Sequence, residues 1–295
     1  MYYIVYGIFW LISLLPLRVL YILADAIYAL VYYVFGYRRK IVMANLLIAF
    51  PEKTEEERKK IAKRFYHNLI DTFIETVKLI TASKKFILKR CKCNWEVIND
   101  LKSTGRSVQV HLGHNFNWEW GNVAGAQNID FPFLVVYMPI SSPIFEKMFY
   151  RLRSRSGTIL LRATHMREDF VAYRNTQYLM GLAADQNPGH PAGGWWFNFF
   201  GRPTPFVKGP AKAAKLNNTA VAFAFIHRPR RGYYEGVISL AEMNATDADE
   251  IELTGKFVKY LEDVIRQYPD MWLWSHRRWK HEWKEEYGPV YQPGS

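Results

Sequence analysis

The chain has 295 residues, 49% of them hydrophobic and 16% aromatic, with two cysteines. That length buries a core as one large domain or two small ones, and the apolar content excludes a disordered chain. Cys91 and Cys93 alone make neither a disulfide scaffold nor a four-cysteine zinc module, and 39 Lys and Arg against 27 Asp and Glu, a net charge of +12, call for an anionic partner. Nucleic acid, a membrane surface and an acidic protein all meet that description.

Residues 1–17 carry no charged side chain, and a second apolar stretch, 19–36, is interrupted only by Asp25 before Arg38-Arg39-Lys40. A secretory signal would place its basic residues before the apolar run, so this order excludes one. Pro16 splits the segment, leaving two readings: one tilted or broken spanning helix, or a hairpin lying in the leaflet. In either, the basic cluster belongs on the cytoplasmic face near anionic headgroups. Trp10 and the many tyrosines suit the membrane–water interface. Residues 1–40 are therefore expected to be a hydrophobic anchor with a trailing basic cluster.

Thr54 and Glu57 form a capping-box pattern, and Ile61, Phe65, Leu69 and Phe73 follow at four-residue spacing. The spacing predicts an amphipathic helix to about residue 81. Its charges Arg58, Lys59, Lys60, Lys63 and Arg64 read first as a solvated face and second as a headgroup-facing one. From residue 97 onward short apolar runs at 107–112, 133–137, 158–161, 178–184, 219–226 and 233–240 alternate with helical stretches near 143–153, 166–174, 208–216 and 250–267. This alternation predicts an α/β fold with a single mainly parallel sheet flanked by helices. No repeat, low-complexity segment or linker divides residues 41–295, which are read as one domain.

The stretch Val110-His111-Leu112-Gly113-His114-Asn115-Phe116-Asn117-Trp118-Glu119 ends a strand, turns at a glycine and opens a helix. Ligands bind at strand C-termini in open α/β sheets. His114 and Glu119 can meet if the histidine sits in the turn and the acid in the first helical turns. An imidazole takes a proton from a hydroxyl, and a carboxylate fixes its tautomer. A structural histidine beside a helix-start acid is the plain alternative. No metal is expected: His111 lies on the strand, pointing away, and no HExxH or cysteine ligand set accompanies it. Cys91 and Cys93 read as free structural thiols.

Gly113-His114-Asn115-Phe116-Asn117-Trp118-Glu119 resembles the histidine–four residues–acid motif of the lipid A biosynthesis acyltransferases, within the glycerolipid and lysophospholipid acyltransferase superfamily. Further blocks agree in order along nearly the whole chain. Arg38-Arg39-Lys40, Asn45-Leu46, Ala49-Phe50-Pro51 and Thr54 to Arg58 resemble the family's opening. Ser142-Pro143 and Arg153-Ser154-Arg155 follow, then Ala184-Asp185-Gln186-Asn187-Pro188-Gly189, Phe199 to Pro203 and Lys208-Gly209-Pro210. Tyr268-Pro269 and Trp272 to Lys280 are similar to its C-terminal signature. Two departures touch acceptor recognition: Asn115-Phe116-Asn117 replaces the usual Gly-Asn core, and Asn-Pro-Gly follows the Asp-Gln pair.

The resemblance implies a glycerolipid acyltransferase-like fold and transfer of an acyl chain from a thioester, carried by acyl carrier protein or CoA, to a hydroxyl of a lipid A precursor or related membrane lipid. It implies no cofactor, and it places the reaction on the cytoplasmic face of the bacterial inner membrane. His114 would be the general base and Glu119 its orienting acid. Arg153, Arg155 or a backbone amide near Gly113 would stabilise the oxyanion, and Arg153, Arg155 and Asp185 would contact substrate. Arg277-Arg278-Trp279-Lys280 reads as interface or phosphate binding rather than nucleic-acid contact, and Trp195 to Phe200 as core or as an acyl-channel wall. Alternative lipid acceptors and a non-catalytic lipid-binding protein of the same fold are the competing readings.

Overall fold

The computed structural model describes residues 1–294. Helix α1 (Tyr2–Leu14) stops and α2 (Leu17–Ala29) restarts around Pro16. Proline excludes the helical conformation from the residue before it, and Leu15 is accordingly extended at φ −57°, ψ 144°. After a π-helical turn at Leu30–Val34, Gly36 takes a positive φ of 57° and leads into α3 (Arg39–Ala49). The predicted amphipathic helix is α4 (Glu55–Lys78), opened by the Thr54–Glu57 capping box with three acids in its first turn. Ile61, Phe65 and Leu69 enter the main core, while Ile70 and Ile74 pack on Leu20 and Ala24 of α2.

Helices and strands then alternate: α5 (Lys84–Arg90), β1 (Cys91–Cys93), α6 (Glu96–Ser103), β2 (Val108–Leu112), α7 (Trp118–Asn128), β3 (Phe133–Tyr137), α8 (Pro143–Ser154), β4 (Ile159–Arg162), α9 (Met166–Phe170) and β5 (Leu179–Ala183). The chain continues through β6 (Gly194–Phe199), β7 (Arg202–Val207), α10 (Gly209–Leu216), β8 (Ala220–Arg230), β9 (Tyr233–Glu242), α11 (Glu250–Gln267) and β10 (Val290–Tyr291). The seven-stranded sheet has the order β1-β9-β8-β2-β5-β3-β4. Its neighbours are parallel except across the β8–β9 hairpin, as the α/β reading expected. Central β2 is flanked by β8 and β5 and is buried over its first four residues, which is why it reads as an apolar run. Cys91 and Cys93 are free thiols on edge strand β1, and burial pushes both up to about 12.

A second sheet, β10-β6-β7, was not expected. Trp195 to Phe199 lie in it and Phe200 in the turn that follows, with Trp196, Phe197 and Phe199 almost wholly buried, so the run's place is in the core. Arg278 joins that core. Its guanidinium is fully buried, lies 4.2 Å from the Phe206 ring centroid and donates to Asn187 and to the Pro205 carbonyl. Burial without a carboxylate partner lowers its pKa to about 9. The expectation that this arginine faces a membrane or phosphate is thus corrected.

Polar groups tie α2 and the β8–β9 turn to α4. The Asp71 carboxylate, 1% exposed, accepts from Arg228 at 2.7 Å and from Arg231 at 2.6 Å, and Arg231 also reaches Asp25 of α2 at 2.6 Å. Burial alone would raise the Asp71 carboxyl, but His67 and the two guanidinium groups hold it below its ordinary value. Asp25, His67 and Asp71 bring three ligand-type atoms within 4.8 Å of one another, yet Arg231 already supplies the positive charge there. Asp71→Ala would leave Arg228 without a carboxylate in a partly buried site and Arg231 with Asp25 alone. Breaking a buried pair costs about 3–5 kcal/mol, and the lower end applies because the arginines keep some solvent. Chemical denaturation of the two proteins should show this loss, and an unchanged midpoint would refute it.

Candidate active site

The site forms where two adjacent parallel strands end. Leu112 of β2 is in register with Ala183 of β5, and two residues further along each chain stand His114 and Asp185. The imidazole Nδ1 lies 2.6 Å from Asp185 Oδ1, and the His114 backbone amide donates to Oδ2 at 2.8 Å. Trp272 Nε1 donates to the same Oδ2 at 2.8 Å. With Nδ1–H committed to the carboxylate, these partners assign the neutral tautomer whose Nε2 is an acceptor, and the exposed Gln186 side chain lies 3.0 Å from it.

Electrostatics follow from this cage. Burial alone would raise the Asp185 carboxyl, but the His114 charge and hydrogen bonds, with that of Trp272, hold it well below the usual carboxylate range. Burial alone would lower His114, and Asp185 outweighs it and raises the imidazole above its ordinary value. Nearby His276 goes the other way, to about 4, through burial and then the adjacent Arg278 charge.

Close packing explains the glycine of the turn. A Cβ on Gly113 would meet Leu261 Cδ1 at 2.7 Å, Asn115 Oδ1 at 3.0 Å and Asp185 Oδ2 at 3.3 Å. The Phe116 amide donates to the Met271 carbonyl at 2.9 Å, and Asn115 pairs with Trp272 as an isolated bridge, pinning the loop to the C-terminal segment. Asn117 then caps α7, accepting from the Trp120 amide at 3.2 Å.

Glu119 sits in the first turn of α7, as expected, but its carboxylate does not face His114. It accepts from Arg153 Nε at 3.2 and 3.0 Å and from Arg153 Nη2 at 2.5 Å. Burial alone would lower Arg153, and its hydrogen bonds to Glu119 raise it instead. Trp118 lies between the pairs, with its Nε1 donating to Glu119 at 3.2 Å and its ring edge-on to His114 at 5.6 Å. The expected His114–Glu119 contact is therefore replaced by His114–Asp185 and Glu119–Arg153. Helical geometry is the reason: Glu119 projects towards the end of α8, whereas the β2–β5 register delivers Asp185 to the imidazole.

Arg155 also departs from expectation. Its guanidinium donates to the carbonyls of Leu79, Ile80 and Ala82, closing the C-terminus of α4 instead of reaching substrate. His111 is buried beside Phe223 and Phe257, burial lowers it to about 3, and it takes no part in the site. Trp272 and Gln186 were not singled out as site residues. Both lie inside the quoted blocks, but only the folded topology brings them to His114.

The family model described as bacterial lipid A biosynthesis acyltransferase matches residues 1–281. The chain is 24% identical over 282 residues to the lipid A biosynthesis palmitoleoyltransferase of Escherichia coli strain K12, covering 93% of this chain and 89% of that protein. The lipid A biosynthesis acyltransferase of Shigella flexneri is as similar, and the lipid A biosynthesis lauroyltransferase of E. coli K12 is 24% identical over 281 residues. A match across nearly the whole chain, on an α/β sheet carrying a histidine–carboxylate pair at its strand ends, places the protein in the bacterial lipid A biosynthesis acyltransferase family, whose members are O-acyltransferases.

Proposed function

We propose that the protein transfers a fatty acyl chain from acyl carrier protein or acyl-CoA to a hydroxyl of a lipid A precursor or related membrane lipid, with His114 as general base. The observation that carries this reading is the 2.6 Å His114–Asp185 pair, which leaves Nε2 as the acceptor nitrogen beside an exposed, replaceable Gln186 side chain. Nε2 takes the hydroxyl proton as the alkoxide oxygen attacks the thioester carbonyl. Asp185 stabilises the imidazolium, the tetrahedral oxyanion collapses, the C–S bond breaks, and the thiolate recovers the proton from His114. No enzyme nucleophile is needed. Arg153, oriented by Glu119, is the proposed cation for substrate oxygen.

The same reading puts the protein at the cytoplasmic face of the inner membrane, with residues 1–36 as the membrane-seating segment. Leu17–Val34 is long and apolar enough to cross a bilayer, with a mean hydropathy of 1.6. Two of its polar residues nevertheless bond the rest of the fold: Tyr21 bonds Glu75, and the half-exposed Asp25 bonds Arg231. Ile4, Ile8 and Leu11 of α1 and Ile22 of α2 are exposed. This pattern favours two helices lying in one leaflet with their outer faces in acyl chains.

Purified protein in detergent, offered lipid A precursor with either acyl carrier protein or CoA thioesters, tests the activity. His114→Ala should abolish transfer, and full retained activity would sink the assignment. Asp185→Asn should lower kcat by about 10²–10⁴-fold, the scale of general-base catalysis. Because Asp185 raises the imidazole and only neutral His114 accepts the proton, activity falls as pH drops through that raised pKa. Asp185→Asn should move this acid limb to lower pH, and a limb that stays in place would contradict the pairing. Arg153→Lys loses the fork that grips Glu119 and should reduce kcat/KM by about tenfold or more. For the membrane segment, Gln at Ile4, Ile8, Leu11 and Ile22 together should release the protein from floating vesicles, and unchanged flotation would count against a leaflet-seated pair.

A further inference from the structure

One buried acid has no place in the chemistry above. Glu75 of α4 is fully buried, and its carboxylate meets three neutral donors from three parts of the chain. Oε1 accepts from the Tyr21 hydroxyl of α2 at 2.6 Å. Oε2 accepts from Tyr234 of β9 at 2.5 Å and from the Asn117 amide at 2.9 Å. Its backbone carbonyl accepts from Trp120 Nε1 at 3.1 Å.

Two of these contacts act on the N-terminus of α7. The Asn117 side chain can cap the helix only with its oxygen turned to the Trp120 amide, which leaves its NH₂ needing a buried acceptor. Glu75 is that acceptor, so it selects the capping orientation. The Trp120 indole bond fixes the following turn. Between these anchors lie Trp118, edge-on to the His114 ring, and Glu119, which grips Arg153. The fourth partner, Tyr21, lies on the helix whose opposite side is exposed and apolar.

We propose that Glu75 is a positioning residue that holds the first turn of α7 against the His114 site, and that Tyr21 links this turn to the seating of α2. The kinetic consequence rests on the catalytic reading above, but the positioning itself does not. A carboxylate is suited to the place because it accepts from all three donors at once, whereas an amide brings two hydrogens of its own into the cluster.

Glu75→Gln and Tyr21→Phe, in the full chain in detergent, test this by two routes. Hydrogen exchange should show faster exchange of the Trp118–Gly121 amides in both variants, with other α7 amides less affected. Acyl transfer should show kcat lowered about ten- to a hundredfold in Glu75→Gln, as expected for a displaced site, with KM and the pH of the acid limb little changed. Tyr21→Phe should show a smaller fall in kcat, and Glu75→Asp should recover part of the loss. If exchange at Trp118–Gly121 and kcat both stay at wild-type values while only the melting temperature falls, Glu75 is a stabilising residue and the proposal is overturned. Should Glu75→Gln fail to fold, Tyr21→Phe decides alone by the same readouts. Failure of the catalytic reading would appear separately, as activity surviving in His114→Ala while the exchange result stands.

Discussion

The pairing of β2 with β5 governs the site. Because Leu112 and Ala183 are register partners, an equal two-residue overhang on each strand brings imidazole and carboxylate to 2.6 Å. A slip of one residue in that ladder would turn one partner to the opposite face of the sheet. The glycine turn, the Trp272 hydrogen bond and the loop contact to Met271 all act on this geometry. Each fixes either the carboxylate or the backbone that carries the histidine. The burial of β2 between two parallel neighbours, which looks like a core property, is thus what places the His114–Asp185 pair.

How the protein treats its buried charges follows from the same constraint. Among the described residues four carboxylates are buried: Asp71, Glu75, Glu119 and Asp185. Three have positive partners, respectively Arg228 with Arg231, Arg153, and His114. Glu75 has only neutral donors, and burial raises its pKa whereas Asp71 and Asp185 are lowered. Arg278 is the counterpart, a buried cation with no carboxylate in contact, lowered to about 9. Burying a charge is costly unless hydrogen bonds or a partner replace water, so these groups mark where the fold requires a fixed polar contact.

Much of this organisation was legible in the sequence. The break at Pro16, the capping box at Thr54 and the parallel α/β core depend on neighbouring residues and were readable from local pattern. His114 and Asp185 were each recognised, but as members of separate blocks. The pairing error arose because Glu119 is five residues from His114 and Asp185 is 71 away, and only strand register reveals which carboxylate arrives. Arg155 looked like a ligand for the same reason: a charged side chain carries no local sign that backbone carbonyls of another helix await it. Sheet β10-β6-β7 was missed because an aromatic run buried on both faces has no alternating pattern to read.

Separating the two acids also makes chemical sense. Had both carboxylates faced His114, the imidazolium would have been overstabilised, and the ring would have been protonated across a wider pH range. Pairing Glu119 with Arg153 removes that second negative charge from the imidazole and gives the arginine a fixed orientation. A single neighbouring acid then raises His114 while its Nε2 still accepts a hydrogen bond at the exposed side. Arg153, Arg228 and Arg231 add little to the net charge of +12, because the acids that bind them are already counted against it, whereas Arg155 is held by neutral carbonyls and keeps its charge. What remains for anionic partners is the surface excess, including the basic cluster that follows the apolar helices. The arginines that join α2 and the β8–β9 hairpin to α4 are thus distinct from Arg153, whose acid holds it beside the His114 loop.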